Sequence, residues 1–136
     1  MRHWQILPHP ADSRLLIQAE TLPELFSAAL EGMNRILKKD LVFSGMPVKE
    51  SLNLSAADST NLLIDFLSQV LSLSLLKQAI FSQVDFKPLT ATALVADLRG
   101  NLVDHFDKEI KAVTYHEAAV RKNAEGLWET KIVFDL

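Results

Sequence analysis

Residues 109–136 read EIKAVTYHEAAVRKNAEGLWETKIVFDL, and their pattern predicts a closing hairpin. Apolar and polar residues alternate over 110–121 and 127–136, which predicts two strands around a polar turn at 123–126. Alternation places one mainly apolar set on the core face of the second strand: Trp128, Thr130, Ile132, Phe134 and Leu136. Asp135 falls on the opposite face, at the end of that strand and beside Leu136.

Before this hairpin, the chain alternates between strand patterns and two segments whose apolar residues recur at helical spacing. Strand patterns cover residues 3–7, 13–20, 48–56, 80–87 and 90–98. A capping box at Thr21 begins a helix that runs to about Lys38, and a second helix is predicted from about Thr60 to Lys77. Residues 99–107 are predicted as a loop. This order predicts an α+β fold class, with two helices packed on one face of a curled, largely antiparallel sheet, in a single domain of residues 1–136.

Composition and missing motifs exclude several classes of function. The net charge of −3 disfavours a broad nucleic-acid-binding surface, so no direct nucleic-acid binding is expected. There is no cysteine, hence no disulfide, no thiol nucleophile and no cysteine zinc site. The sequence lacks a P-loop, a Gly-rich dinucleotide turn, a G-x-S-x-G elbow and an HExxH motif. No signal peptide and no uninterrupted apolar run of about 20 residues is present, so we expect a cytoplasmic protein without a membrane role.

Asp12 and Asp135 are predicted to meet at one corner of the fold. If the second strand lies antiparallel beside the last, the start of one meets the end of the other. Asp12 would then approach Asp135 and the α-carboxylate of Leu136, and oxygen clusters of this kind suit hard cations such as Ca²⁺. The commoner alternatives are a turn or cap role for Asp12 and a solvated acid at Asp135.

Three further polar residues remain open candidates. His116 is predicted on a strand face with Thr114 and Ala118, where a hydrogen-bonded structural histidine is the usual role. His105 follows Asp104 in a polar loop, where a solvated histidine is the usual role. Lys111 has the opposite strand parity to His116, so the two could line one pocket only across a bulge or a strand end.

Several segments together resemble the archease family. The resemblance rests on motifs spread in order along the whole chain: His9-x-Ala11-Asp12, Glu24-Leu25-Phe26-x-x-Ala29, Leu62-Leu63-x-x-Phe66-Leu67, Asp104-His105, Lys111-Ala112-Val113-Thr114-Tyr115-His116, Trp128, and Val133-Phe134-Asp135-Leu136. The Lys111–His116 strand and the closing Phe134-Asp135-Leu136 are its most specific parts.

The resemblance implies an activator and not an enzyme in its own right. Archeases assist RtcB-type RNA ligases in tRNA splicing and RNA repair, promoting guanylylation of the ligase and its multiple turnover. The resemblance also implies an archease-like fold and a divalent metal, calcium in the first place, held by Asp12, Asp135 and the carboxylate or carbonyl of Leu136. It further implies polar residues lining the site, here His9, His105, Lys111, Thr114 and His116.

Two departures from the family pattern bear on metal binding. Pro10 stands where a threonine is common, which removes a hydroxyl and a backbone donor. Arg14 stands where a glycine is common, shares strand parity with Asp12, and could neutralise it in place of a metal.

Two other functions stay open from the residues alone. One is a small metal-dependent hydrolase with Asp12 and Asp135 as ligands and His116 or His105 as general base. The other is a chaperone-like binding module that acts through an exposed apolar groove without a metal.

Overall fold

Ten elements follow one another in the described part of the chain, a computed structural model covering residues 2–7, 12–40 and 45–136. They are β1 Arg2–Leu7, β2 Asp12–Ala19, α1 Leu22–Leu37, β3 Pro47–Ser55, α2 Ser59–Lys77, β4 Ala79–Leu89, β5 Ala93–Leu102, β6 Ala112–Thr114, β7 Arg121–Lys122 and β8 Trp128–Asp135. The two predicted helices and most predicted strands are confirmed to within a few residues.

The strands form two antiparallel sheets. One has the order β1-β2-β8-β6, with the short β7 also paired to β8, and the other has the order β3-β5-β4. The predicted class, two helices on antiparallel strands, is therefore confirmed, while the strands divide between two sheets instead of forming one. Strand β8 lies between β2 and β6, so the first and last thirds of the chain meet in one sheet.

Side-chain caps fix where both helices begin. At α1, the Thr21 hydroxyl accepts a hydrogen bond from the Glu24 amide at 3.2 Å and donates one to the Glu24 carboxylate at 3.0 Å. At α2, the Asp58 carboxylate accepts from the Asn61 amide at 2.8 Å, and the helix ends at Gln78 in the left-handed region. The cap predicted at Thr21 is thus present, and Asp58 caps α2 in the same way.

A cluster of three rings joins the helices to the second sheet. Phe26 of α1, Phe66 of α2 and Phe86 of β4 have ring centroids 5.5–6.0 Å apart, in tilted and edge-on arrangements. Each such ring pair adds about 0.5–1.5 kcal/mol beyond the burial of its area. The core extends from here to Ile132 and Phe134 of β8, which are fully buried as the alternation predicted.

Helix α2 is 19 residues long with a mean hydropathy of 1.3, enough in length and composition to cross a membrane. The prediction of no membrane role rested on uninterrupted apolar runs, and polar residues such as Asp65 and Ser68 interrupt the apolar run in α2. In the fold this helix lies on the core and buries Leu63, Phe66 and Val70, and a core helix passes the same test. The helix is therefore weak evidence for a span.

Two strand predictions were wrong. The predicted strand 110–121 ends as β6 at Thr114, because a turn follows in which the Ala118 amide donates to the Tyr115 carbonyl at 3.1 Å. Residues 99–101, predicted as a loop, lie inside β5. Gly100 lies inside this strand at a point where the backbone of β4 passes very close. An added Cβ would overlap the carbonyl oxygen of Ile80, so glycine is required there.

Candidate metal centre at the sheet tip

Asp12 and Asp135 are direct cross-strand partners in the register of β2 and β8, as the sequence predicted. Their neighbours Ser13 and Phe134 are buried, which anchors both strands, while Asp135 is exposed and Asp12 is half-buried. Leu136 packs against the core and so holds the strand end in place. We call this end of the sheet, comprising Asp12, Asp135 and Leu136, the tip.

The β6 side of the tip is held through the main chain. The Lys111 amide donates to the Asp135 carbonyl at 2.7 Å, and Ala112 is the register partner of Asp135. The Lys111 side chain is exposed at this edge. Lys111 therefore contributes to the tip by fixing the backbone of Asp135.

Thr114 lies at the end of β6, two residues after the register partner of Asp135, and His116 lies in the turn that follows. The Thr114 hydroxyl donates to the Val133 carbonyl at 2.9 Å and accepts from the His116 amide at 3.3 Å, so it closes the end of β6. His116 is exposed in the turn after β6 and does not lie on a strand face with Thr114 and Ala118. The expected strand face was wrong because the strand stops two residues earlier.

The side chain of Arg14 extends from β2 toward Glu117, in the turn after β6. Its guanidinium forms an ion pair with Glu117 at 2.9 Å, and both side chains are about 70% buried, with relative exposures of 28% and 30%. In the register Arg14 is beside Val133, and Val133 is beside Thr114, so the pair spans β8 above Val133. Val133 is only 4% exposed although it faces away from the core.

His105 sits in a separate charged cluster in the loop between β5 and β6. Its Nδ1 lies 3.0 Å from Asp104 Oδ1 and its Nε2 lies 3.4 Å from Asp107 Oδ1. Lys38 Nζ lies 3.7 Å from Asp104 Oδ1 and donates to the His105 carbonyl at 3.3 Å. The charge of His105, with a smaller contribution from Lys38, holds the pKa of Asp104 below its usual range. This cluster lines a cavity of about 510 Å³.

The loop of residues 103–111 brings His105 to the same end of the molecule as the tip. The Asp107 amide donates to the Leu37 carbonyl at 2.7 Å, which fastens the loop to the end of α1. The Asp107 carboxylate also accepts from the Lys39 amide at 2.7 Å. Four residues later, Lys111 bonds to Asp135. His9, the remaining site prediction, lies outside the described residues.

The donor set at the tip fits a hard divalent cation. Asp12 and Asp135 offer two carboxylates, and the main-chain oxygens of Leu136 follow directly. Among the described residues, no three side chains of Asp, Glu, His or Cys form a group that could hold a metal, so a metal on Asp12 and Asp135 would need a further ligand, such as a main-chain oxygen of Leu136. Oxygen-only sets suit Ca²⁺ or Mg²⁺ better than Zn²⁺ or copper.

Glu117 and Asp107 make contacts near the site that were not predicted from the sequence. Glu117 follows no turn signature, since Tyr115-His116-Glu117-Ala118 contains no Gly, Pro, Asn or Asp. Asp107 could have been found from its spacing, because the pattern Asp104-His105-x-Asp107 places two carboxylates around one histidine.

The sequence of the chain matches one protein family and its members. The model of the Archease protein family matches residues 4–136. A protein archease of Methanosarcina mazei is 32% identical over 99% of this chain and 97% of its own length. One from Thermococcus gammatolerans is 27% identical, with both chains covered in full.

Solved structures share the fold. A solution structure of a Methanobacterium thermoautotrophicum protein superposes with a TM-score of 0.74 at 20% identity, covering 98% of each chain. The crystal structure of an archease from Thermotoga maritima, described as a possible chaperone, superposes with a TM-score of 0.65 at 20% identity, covering 97% of this chain and 96% of the other.

Proposed function

The chain belongs to the archease family, and from this premise we propose that it is a metal-binding protein cofactor of an RtcB-type RNA ligase. It promotes guanylylation and turnover of that ligase in tRNA splicing and RNA repair, in the cytoplasm, and is not a catalyst itself. The observation that carries the proposal is the cross-strand pair of Asp12 and Asp135. Two carboxylates held side by side repel each other unless a cation or a basic group neutralises them.

The tip is built to present oxygens to a partner. Both strands are anchored by buried neighbours, Ser13 and Phe134, so exposed Asp135 and half-buried Asp12 lie on a well-packed base. The Lys111 amide, which lies just before β6, donates to the Asp135 carbonyl and so fixes its position. Rigid placement matters because a site that must be ordered on docking loses binding free energy to that ordering.

A divalent ion at such a site would supply positive charge for the phosphates of the ligase's nucleotide. Asp12, Asp135 and Leu136 would hold it. The residues of this chain would then present the site to the partner's nucleotide-binding region without contacting RNA.

A reconstituted guanylylation assay tests the proposal, using an RtcB-type ligase from the same genome and Asp135→Ala. Asp135 is exposed and off the core face, so the variant should keep its fold while losing stimulation of covalent guanylate transfer to the ligase. The matched control is Asp85→Ala, an exposed strand aspartate on the other sheet, which should stimulate like the unmodified protein. Full stimulation by Asp135→Ala, with an unchanged circular dichroism spectrum, would refute the tip mechanism.

A chaperone-like binding module without a metal remains the second candidate, because apolar side chains are exposed. Leu76 at the end of α2 is 81% exposed, Met46 is 72% exposed, and Leu102, whose amide donates to the Met46 carbonyl, is also exposed. Loss of stimulation in Leu76→Asp, with full stimulation by Asp135→Ala, would favour this function.

The hydrolase alternative gains no support. Of the two bases this alternative names, His105 has both ring nitrogens within 3.4 Å of carboxylates, and His116 is exposed in the turn after β6.

A further inference from the structure

Among the described residues, Arg14 is a cation that could compete with a metal at the tip. It lies two residues after Asp12 on the same face of β2, and Asp135 is the cross-strand partner of Asp12. An arginine in this position can form bidentate hydrogen bonds with a carboxylate. Its reach would let it neutralise the tip.

The guanidinium is held elsewhere. Its Nη2 is 2.9 Å from Glu117 Oε2, on the far side of β8, and the arm crosses Val133. The Arg14 Nε is buried with no hydrogen-bond partner among the described residues. The guanidinium makes its contact through Nη2, in the ion pair with Glu117.

The backbone at Glu117 also departs from the ordinary. Glu117 has φ 63°, in the left-handed region, at the third position of the Tyr115–Ala118 turn. This position usually takes glycine, and a side chain there costs about 1–2 kcal/mol. Glu117 therefore stands in a backbone conformation that glycine would adopt at lower cost.

We propose that Glu117 is a positioning residue that holds the Arg14 guanidinium across β8, away from the tip, and so lowers its competition with a divalent cation there. This inference rests on the proposed metal role of the tip. Other charges at this end are the exposed Lys111 beside Asp135 and the His105 cluster in the loop. Arg14 differs from them in lying on the same strand face as Asp12.

Calorimetric titration with CaCl₂ alone tests the proposal on the full chain. Glu117→Gln removes the charge that holds Arg14, and we expect Ca²⁺ affinity to fall about tenfold, or ~1.4 kcal/mol. Arg14→Ala should bind Ca²⁺ at least as tightly as the unmodified protein. The double variant, Arg14→Ala with Glu117→Gln, should bind like Arg14→Ala, because Glu117 then has no cation to hold.

Two controls separate positioning from other effects. Glu125→Gln makes the same charge change in the turn at the opposite end of β8, and should leave Ca²⁺ affinity unchanged. Glu117→Gly suits the positive φ, so it keeps the turn while also releasing Arg14, and should weaken binding as Glu117→Gln does.

The titrations separate failure of the positioning role of Glu117 from failure of the proposed metal role of the tip. Ca²⁺ binding by the unmodified protein with equal binding by Glu117→Gln would overturn the positioning role alone. Equal weakening by Glu117→Gln with and without Arg14 would show that Glu117 acts through its own charge, and would also overturn it. No Ca²⁺ binding by the unmodified protein at about 1 mM would overturn the metal role and this inference together.

Discussion

Gly100 shows how one residue can settle the path of a strand. It lies where β5 passes β4 close to a register shift between Ile80 and Gln83. A Cβ added there would overlap the carbonyl oxygen of Ile80 and lie 2.7 Å from the Cα of Phe81. Because backbone cannot yield as a flexible side chain can, only glycine fits.

Gly100→Ala should therefore destabilise the protein by about 3 kcal/mol, from forced backbone displacement. The control is Gly126→Ala, whose Cβ would meet nothing within 4 Å but whose φ of 81° is unsuitable for alanine. That control should cost only about 1 kcal/mol. Urea unfolding of the two variants measures the difference, and an equal or reversed order would contradict the packing argument.

At the tip, single residues were more predictable than their contacts. Strand parity and the antiparallel return of the chain were enough to bring Asp12 opposite Asp135. The partner of Arg14 was not predictable in this way. Parity indicated that Arg14 faces Asp12, but the ion pair depends on Glu117, whose position follows from a turn without a sequence signature.

At the scale of elements, the pairing of β2 with β8 carries both the core and the tip. Away from the tip, the Gln18 side chain donates to the Glu129 carboxylate, and Asn123 donates to the same carboxylate at 3.1 Å. The hydrogen bond from Gln18, followed by that from Asn123, lowers the pKa of Glu129. Polar side chains thus join β2, β8 and the turn of residues 123–127.

This arrangement predicts a pH dependence of stability. A carboxyl whose pKa is lowered by folding stabilises the protein above its unfolded pKa, and that stabilisation is lost as pH falls through the folded pKa. Gln18→Met should raise the pKa of Glu129 toward its ordinary value and reduce the loss of stability on the acid side. Carboxyl NMR titration measures the pKa, and an unmoved Glu129 would show that Gln18 does not cause the shift.

The closing segment shows which elements the sequence could predict. Strand β8 was found because its core face alternates without interruption from Trp128 to Phe134. The predicted strand 110–121 was too long. Val113-Thr114-Tyr115 has the residue types of a strand, and the turn at Glu117 that follows contains no glycine to mark its end. Tertiary contacts end β6, including the hydrogen bond from Tyr115 to Asp65 of α2 at 2.6 Å.

At the scale of the whole molecule, the fold brings distant parts of the chain to one end. Strand β2 starts at the tip, β8 ends there, and the loop of residues 103–111 links it to the end of α1. The division into two sheets was not predictable, because alternation shows which residues face a core but not which strands are neighbours. The helices lie on both sheets, and the three-ring cluster of Phe26, Phe66 and Phe86 joins them.

The most direct test of the account is a CaCl₂ titration of the isotope-labelled protein, followed by backbone amide NMR. We expect saturable shifts concentrated at Asp12, Lys111, Asp135 and Leu136, while the mixed-charge face of the other sheet, where Lys87 pairs with Asp85 and Asp97, stays unchanged. Shifts centred on Asp85 and Asp97, or no shifts at the tip up to about 1 mM Ca²⁺, would contradict it.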